Sequence, residues 1–252
     1  MDFLRRMYSL ARKRAEGLAR SQTYPYPVRP FKEVLKGMAV IAEVKYATPK
    51  DGPLGITDDP ARIARDYETL GAAAVSCLTE PDYFAGALEY LSIIRKGCGL
   101  PLLMKDFIVD ERQIMAGRAL GADAFLLITE MLDEDELKAL YICGRDLGMD
   151  CLVEVHGPGG LDKAAALGAA IVGVNSRDLA TLEVDPLRHE ELAKKIPRGA
   201  VRVAESGIST GERLKELRTL GYDAVLIGRA FADKTLREDI FHVGKDLRHH
   251  QA

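Results

Sequence analysis

Charged and polar residues stand where short apolar runs end. Residues 101–107 read PLLMKDF: a proline, three apolar residues, then Lys105 and Asp106 before Phe107. Residues 39–45 (AVIAEVK) end on Glu43 and Lys45, and residues 151–155 (CLVEV) carry Glu154. Residues 171–175 (IVGVN) end on the amide of Asn175, and residues 201–206 (VRVAES) on Glu205 and Ser206. Lys45, Lys105, Glu43 and Glu154 in one mouth would shift each other's pKa values and serve as paired acids and bases. A lysine at the rim of a dry core is expected to have its pKa lowered by desolvation, toward a working range. One such charge alone would be read as half of a rim salt bridge. Four of them, spread over the first, third and fifth runs, favour chemistry.

Two further turns suit a phosphate. Residues 205–209 (ESGIS) follow the seventh run and residues 226–229 (LIGR) follow the eighth. Gly207 and Gly228 would let backbone N–H groups approach an anion closely, and Arg229 would add a charge-assisted contact. Taken singly, each glycine is equally well an ordinary turn residue. After the sixth run, Asn175 is suited to orient a hydroxyl and Arg177 to grip a carboxylate as a bidentate fork. Phe84, Phe107 and Leu182 are suited to line an apolar pocket for an aromatic ring, although core packing accounts for the two phenylalanines as well. His156 is a candidate proton carrier. No second His, Cys or carboxylate stands at metal-ligand spacing from it, and no nucleophile–His–Asp arrangement or P-loop is present.

The elements that must position these groups alternate along the chain. Strand-like runs begin near Ala39, Ala73, Pro101, Ala124, Cys151, Ala170, Val201 and Ala224, with helix-like stretches between them. Buried parallel strands read as such continuous apolar runs. Asp59 and Pro60 open one helix as N-cap and first helical residue. Helices over residues 110–120, 133–147 and 210–220 each run into a glycine, the expected left-handed cap. A Leu-Gly phrase recurs at residues 70–75, 120–125, 167–172 and 220–225, marking helix end, turn and next strand. Eight βα units in 252 residues predict a single α/β (β/α)8 barrel with an extra N-terminal helix. An open doubly wound sheet is the alternative, but no G-x-G-x-x-G follows any strand. Residues 1–30 read as a helical extension and a proline-rich connector, and residues 31–252 as the barrel. The apolar residues Phe3, Leu4, Met7, Leu10 and Ala11 predict a helix packed on the body, in preference to a membrane-surface helix or a transit peptide.

Composition excludes several classes. A net charge of −3 offers no global basic field for nucleic acid or anionic lipid. No apolar run approaches the roughly 18 residues of a membrane span. Cys77, Cys98, Cys143 and Cys151 show no CxxC spacing and read as reduced thiols of a cytoplasmic protein.

The segments AEVKYATP, CLTEPDYFAG, LMKDFIVDERQI, LVEVH, GVNSRDLATLEVD, AESGIS and LIGRA resemble, in order and spacing, the strand-end motifs of the indole-3-glycerol-phosphate synthase family. The resemblance runs from about residue 31 to 233. It implies closure of the indole ring in tryptophan biosynthesis: 1-(2-carboxyphenylamino)-1-deoxyribulose 5-phosphate becomes indole-3-glycerol phosphate, carbon dioxide and water. It implies no metal or organic cofactor. The partner is the small phosphorylated aryl-amino sugar, with no nucleic acid and no membrane; a monomer is compatible with the sequence, which does not fix the oligomeric state. By the same resemblance, Lys105 is the general acid of ring closure and Glu154 exchanges protons in the dehydration. Lys45 is a second acid, Glu43 positions the lysines, and Asn175 and Arg177 orient the substrate and its anthranilate carboxylate. Ser206, Gly207, Leu226, Gly228 and Arg229 correspond to the phosphate end. Phe84, Phe107, Leu126, Leu179 and Leu182 correspond to the aryl pocket, and Thr48 and Pro49 to the gating loop.

Three departures stand out. Thr48 replaces the usual serine, Lys50-Asp51-Gly52-Pro53 replaces the common serine-lysine-glycine, and Arg229 replaces a small hydroxyl residue or glutamate. The alternatives are another sugar-phosphate barrel enzyme, such as phosphoribosylanthranilate isomerase, and a non-catalytic phosphometabolite-binding barrel. The first does not require two strand-end lysines, and the second would not need both Lys105 and Glu154. Arg229→Ala is expected to raise the Michaelis constant more than it lowers kcat; an unchanged constant in steady-state kinetics would place Arg229 outside the phosphate site.

Overall fold

The computed structural model describes residues 3–20, 23–179, 181–228, 231 and 233–249. Eight parallel strands close into a barrel: β1 (Ala39–Val44), β2 (Ala74–Leu78), β3 (Leu102–Lys105), β4 (Ala124–Ile128), β5 (Asp150–Val155), β6 (Ile171–Asn175), β7 (Val201–Glu205) and β8 (Ala224–Ile227). Each strand pairs with its neighbour in sequence, and β1 pairs with β8 in the register Ala39↔Ala224 to Ala42↔Ile227. That closing pair excludes the open doubly wound sheet. Every strand begins within one residue of its expected position.

The strands are apolar throughout because both faces are covered. Val40 packs against α10 (Lys234–His249), Met104 against α5 (Glu111–Ala119) and Phe125 against α6 (Glu134–Asp146). The alternate residues turn inward, so Glu43, Lys105 and Leu126 face the barrel interior at its carboxyl end. A one-residue slip on any strand would swap these faces and send its charged residue into the outer apolar layer.

Local signals set the helix ends. In α2 (Pro60–Leu70) the Asp59 carboxylate accepts from the backbone N–H groups of Ala61 and Arg62, and Gly71 closes the helix at φ 97°. The helices α5, α6 and α9 (Gly211–Thr219) start from Asp110, Asp133 and Thr210. The N-terminal helix α1 (Phe3–Glu16) buries Met7, Ala11 and Ala15 against the barrel rim, and the Tyr8 hydroxyl donates to Glu136 Oε1 at 2.5 Å. Its apolar face is thus used internally. No helix among the described residues is long and apolar enough to cross a membrane.

The connector after α1 is tied beneath the barrel, at the amino ends of the strands. Asp123 lies at the centre of that tie. Its carboxylate accepts from Arg95 Nη1 at 2.9 Å, from the Arg29 backbone N–H at 2.7 Å and from the Leu102 N–H at 2.8 Å. Arg95 Nη2 donates to the Pro27 carbonyl, and Arg29 donates to the carbonyls of Cys98 and Leu100. The Arg95 and Asp123 side chains are 3% and 1% exposed. A buried ion pair supported by further hydrogen bonds is costly to break from one side. Arg95→Ala should therefore lose about 3–5 kcal/mol of unfolding free energy, read from denaturant melts.

Candidate active site

The carboxyl ends of the strands enclose a cavity of about 820 Å³. Its floor is polar. Lys105 Nζ lies 2.9 Å from Glu154 Oε2 and 2.8 Å from Glu205 Oε2. Asn175 Nδ2 donates to the other oxygen of Glu154 at 3.1 Å. Beside this group, Lys45 Nζ lies 2.6 Å from Glu43 Oε1. Five strands supply these six residues, which only the closed barrel brings within one mouth.

Electrostatics correct one expectation. Burial alone would lower the Lys105 pKa, but the carboxylates of Glu154, Glu205 and Glu43 outweigh it and hold the ammonium above its ordinary value. Glu154 goes the opposite way. Burial raises its pKa, but Lys105 and His156 outweigh that and keep the carboxyl well below the usual range. Glu205 is left as the weaker partner, pushed up to about 7 mainly by burial, against the pull of Lys105. Its Oε1 has no hydrogen-bond partner among the described residues. Two carboxylates sharing one ammonium are thus driven apart, one ionised and one poised near neutrality.

One end of the mouth is built by two short loops and α1. Glu80 caps α3 (Pro81–Phe84), accepting from the N–H groups of Asp82, Tyr83 and Phe84, and so fixes Phe84. Asp106 accepts from the Thr79 hydroxyl at 2.7 Å and from the Phe107 N–H at 2.7 Å. Arg14 from α1 joins both loops, contacting Glu80 at 3.3 Å and Asp106 at 2.9 Å. The Phe3 ring meets Tyr83 and Phe107 edge-on at 5.4 and 6.0 Å. Leu126, Leu179 and Arg177 complete this side of the cavity. Arg177 Nη1 donates to the Leu182 carbonyl at 2.7 Å, and an antiparallel bridge pairs Arg177 with Val184.

At the other end, Ser206 and Gly207 follow β7 with φ of 65° and 67°. This pair of left-handed residues turns the chain at the cavity wall. Leu226 and Gly228, on and just after the neighbouring strand β8, line the cavity beside them. A Cβ at Gly228 would run into the carboxylate of Glu43 and the ammonium of Lys45, so only glycine leaves those groups their space.

Most expected site residues meet here: Glu43, Lys45, Phe84, Phe107, Lys105, Leu126, Glu154, Asn175, Arg177, Leu179, Ser206, Gly207, Leu226 and Gly228 all line the cavity. Thr48, Pro49 and Leu182 do not. Thr48 closes the small hairpin after β1, its hydroxyl 3.0 Å from Asp51 Oδ2, and Asp51 and Leu54 from that hairpin reach the cavity instead. Arg229 lies outside the described residues. Sequence reasoning passed over Glu205 as a site residue, although it ends β7 directly before Ser206. Its position as the last inward residue of that strand was the available signal.

A closed (β/α)8 barrel with lysines and carboxylates at the carboxyl ends of its strands has the active-site face of a barrel enzyme. The family model for indole-3-glycerol phosphate synthase matches residues 6–242. An indole-3-glycerol phosphate synthase from Acetivibrio thermocellus is 48% identical over 194 residues, covering 77% of this chain and 75% of that one. One from Campylobacter jejuni subsp. doylei is 46% identical over 215 residues, covering 85% and 83%. The solved structure of KGPDC from Streptococcus mutans shares the fold, with a TM-score of 0.62 at 13% identity over 84% of this chain and 98% of that one. The chain belongs to the indole-3-glycerol phosphate synthase family, carbon–carbon lyases of tryptophan biosynthesis.

Arg14→Ala should cost about 1.5–3 kcal/mol of stability, the worth of hydrogen bonds to a charged group, because it leaves Asp106 without its cation. It should also raise the Michaelis constant more than it lowers kcat, since the loops it joins carry Phe84 and Phe107. Denaturant melts and steady-state kinetics check the two parts.

Proposed function

We propose that this mouth performs the ring closure with Lys105 as general acid and Glu154 as the proton-exchanging carboxylate. The observation that carries this reading is the Lys105 ammonium held between Glu154 and Glu205. A general acid must be protonated before the reaction, and these carboxylates keep it so. The substrate is 1-(2-carboxyphenylamino)-1-deoxyribulose 5-phosphate. Its phosphate rests on the N–H groups around Ser206, Gly207 and Gly228, with Leu226 beside them, and Arg229 is assigned to the same end by its place in the sequence. Its aryl ring enters between Phe84, Phe107, Leu126 and Leu179, with Arg177 and Asn175 as orienting groups. Thr48, Pro49 and Leu182 belong to loops at the rim of this pocket.

As the ring carbon bonds to the ketose carbonyl carbon, Lys105 Nζ gives its proton to the carbonyl oxygen. The carboxylate then leaves as carbon dioxide, and its bonding electrons quench the ring cation. In the dehydration the hydroxyl departs as water with a proton from an acid, for which Lys45 is placed, while Glu154 removes the proton that completes the aromatic ring. Glu43 holds Lys45 in position. Anchoring the phosphate at one end and the ring at the other supplies proximity worth several kcal/mol. No metal or cofactor takes part in this scheme. A single chain is the working unit, since one chain closes the barrel and lines the mouth, and four free thiols suit a cytoplasmic biosynthetic enzyme.

Mixing the protein with the substrate should produce indole fluorescence. Lys105→Ala and Glu154→Gln should each lower kcat about 10²- to 10⁴-fold, the usual worth of a general acid or base. Binding of a phosphate-ended inhibitor to Lys105→Ala should persist. Full turnover in either variant would remove that residue from its role.

A further inference from the structure

Behind Glu154, on the side away from Lys105, stands a second pair of charged groups. Glu130 follows β4 and His156 follows β5. Glu130 Oε2 lies 3.0 Å from His156 Nδ1, and Glu130 Oε1 accepts the His156 backbone N–H at 2.8 Å. The other imidazole nitrogen, Nε2, lies 3.3 Å from Glu154 Oε1, at ion-pair distance but without the alignment of a good hydrogen bond. His156 is not among the residues that line the cavity, so it reaches the chemistry through Glu154.

The support behind this pair is specific. The Thr129 hydroxyl lies 2.8 Å from Glu130 Oε2, and Lys163 from α7 (Pro158–Leu167) donates to the carbonyls of Thr129 and Leu132. Gly160 in the same helix leaves the space that Glu130 and Thr129 occupy, for a Cβ there would strike both side chains. The first residue before α7, Gly157, provides no side-chain cap.

We infer that His156, held as an imidazolium by Glu130, is a positioning residue that keeps Glu154 ionised and oriented after Lys105 has given up its proton. The inference rests on the acid and base roles given above. Glu154 is faced by Lys105 from β3, Asn175 from β6, Glu205 from β7 and His156, and Lys105 is also faced by Glu205 and Glu43. Once Lys105 is neutral, Asn175 contributes only a neutral donor. A carboxylate in this buried floor would then pick up a proton and lose its function as a base. A cation not consumed in the ring closure prevents that. Burial disfavours a charged imidazole here, but the hydrogen bonds and charges of Glu130 and Glu154 outweigh it and push its pKa up to about 9.

Two measurements test this. In the unaltered protein, ¹⁵N shifts of the imidazole should show His156 doubly protonated through neutral pH. In Glu130→Gln the imidazole keeps Glu154 as its one carboxylate partner. Its kcat should match the parent's at acid pH and fall roughly tenfold or more as pH rises from the ordinary imidazole value of about 6.5, with little change in the Michaelis constant. His156→Gln should show that low kcat at every pH. A His156 that titrates at its ordinary value in the parent would overturn the inference, as would a Glu130→Gln profile parallel to the parent's. Neither outcome depends on whether His156→Gln folds. Turnover retained by Glu154→Gln would instead overturn the role of Glu154 and leave the imidazolium pairing to the titration.

Discussion

A buried ammonium shared by two carboxylates is the constraint on which this molecule is built. Charges taken out of water must be paired and hydrogen-bonded, or the fold loses several kcal/mol for each one. Lys105, Glu154 and Glu205 satisfy that condition only if β3, β5 and β7 end at the same height around one axis. The closed register of the eight strands provides this. The arrangement also separates the two carboxylates into one held ionised and one held near neutrality, which acid–base chemistry needs and stability alone would not select.

The two ends of the barrel use similar ion pairs for different purposes. At the amino ends, Arg95 and Asp123 bind the connector beneath the strands, away from the cavity, and their role is cohesion. At the carboxyl ends, Arg14 links the loops that present Phe84 and Phe107. The N-terminal segment therefore passes under the barrel with its connector and reaches the rim with its helix. Stability and the shape of this side of the cavity are coupled through that one segment, because Phe3 packs on the same loops.

The floor of the mouth is layered outward from the reacting groups. Lys105 and Glu154 sit at the centre, Asn175 and His156 hold the far oxygen of Glu154, and Glu130 holds the imidazole. Behind Glu154 the enclosure falls step by step, with side-chain exposure of 2% at Glu154, 10% at His156 and 28% at Glu130. Such a chain lets a solvent-touching carboxylate influence a buried one without opening the cavity.

Much of this was legible in the residues. Eight apolar runs separated by capped helices define a barrel, because a strand covered on both faces has to be apolar throughout and a helix end has to satisfy its own N–H groups. The strand-end positions of Lys45, Lys105, Glu43 and Glu154 follow from the same periodicity. Pattern alone did not reach facts that depend on which side chains meet across the barrel. The direction of the Lys105 pKa is one, since desolvation and three carboxylates oppose each other and only their distances decide the sign. The place of Glu205 beside Lys105 is another, as are the single guanidinium joining two loops and the imidazole behind Glu154. Apart from His156 and Glu154, near neighbours in the chain, these contacts link residues about 26 to 100 positions apart, as from His156 back to Glu130 and from Lys105 to Glu205, and only chain closure in three dimensions brings them together.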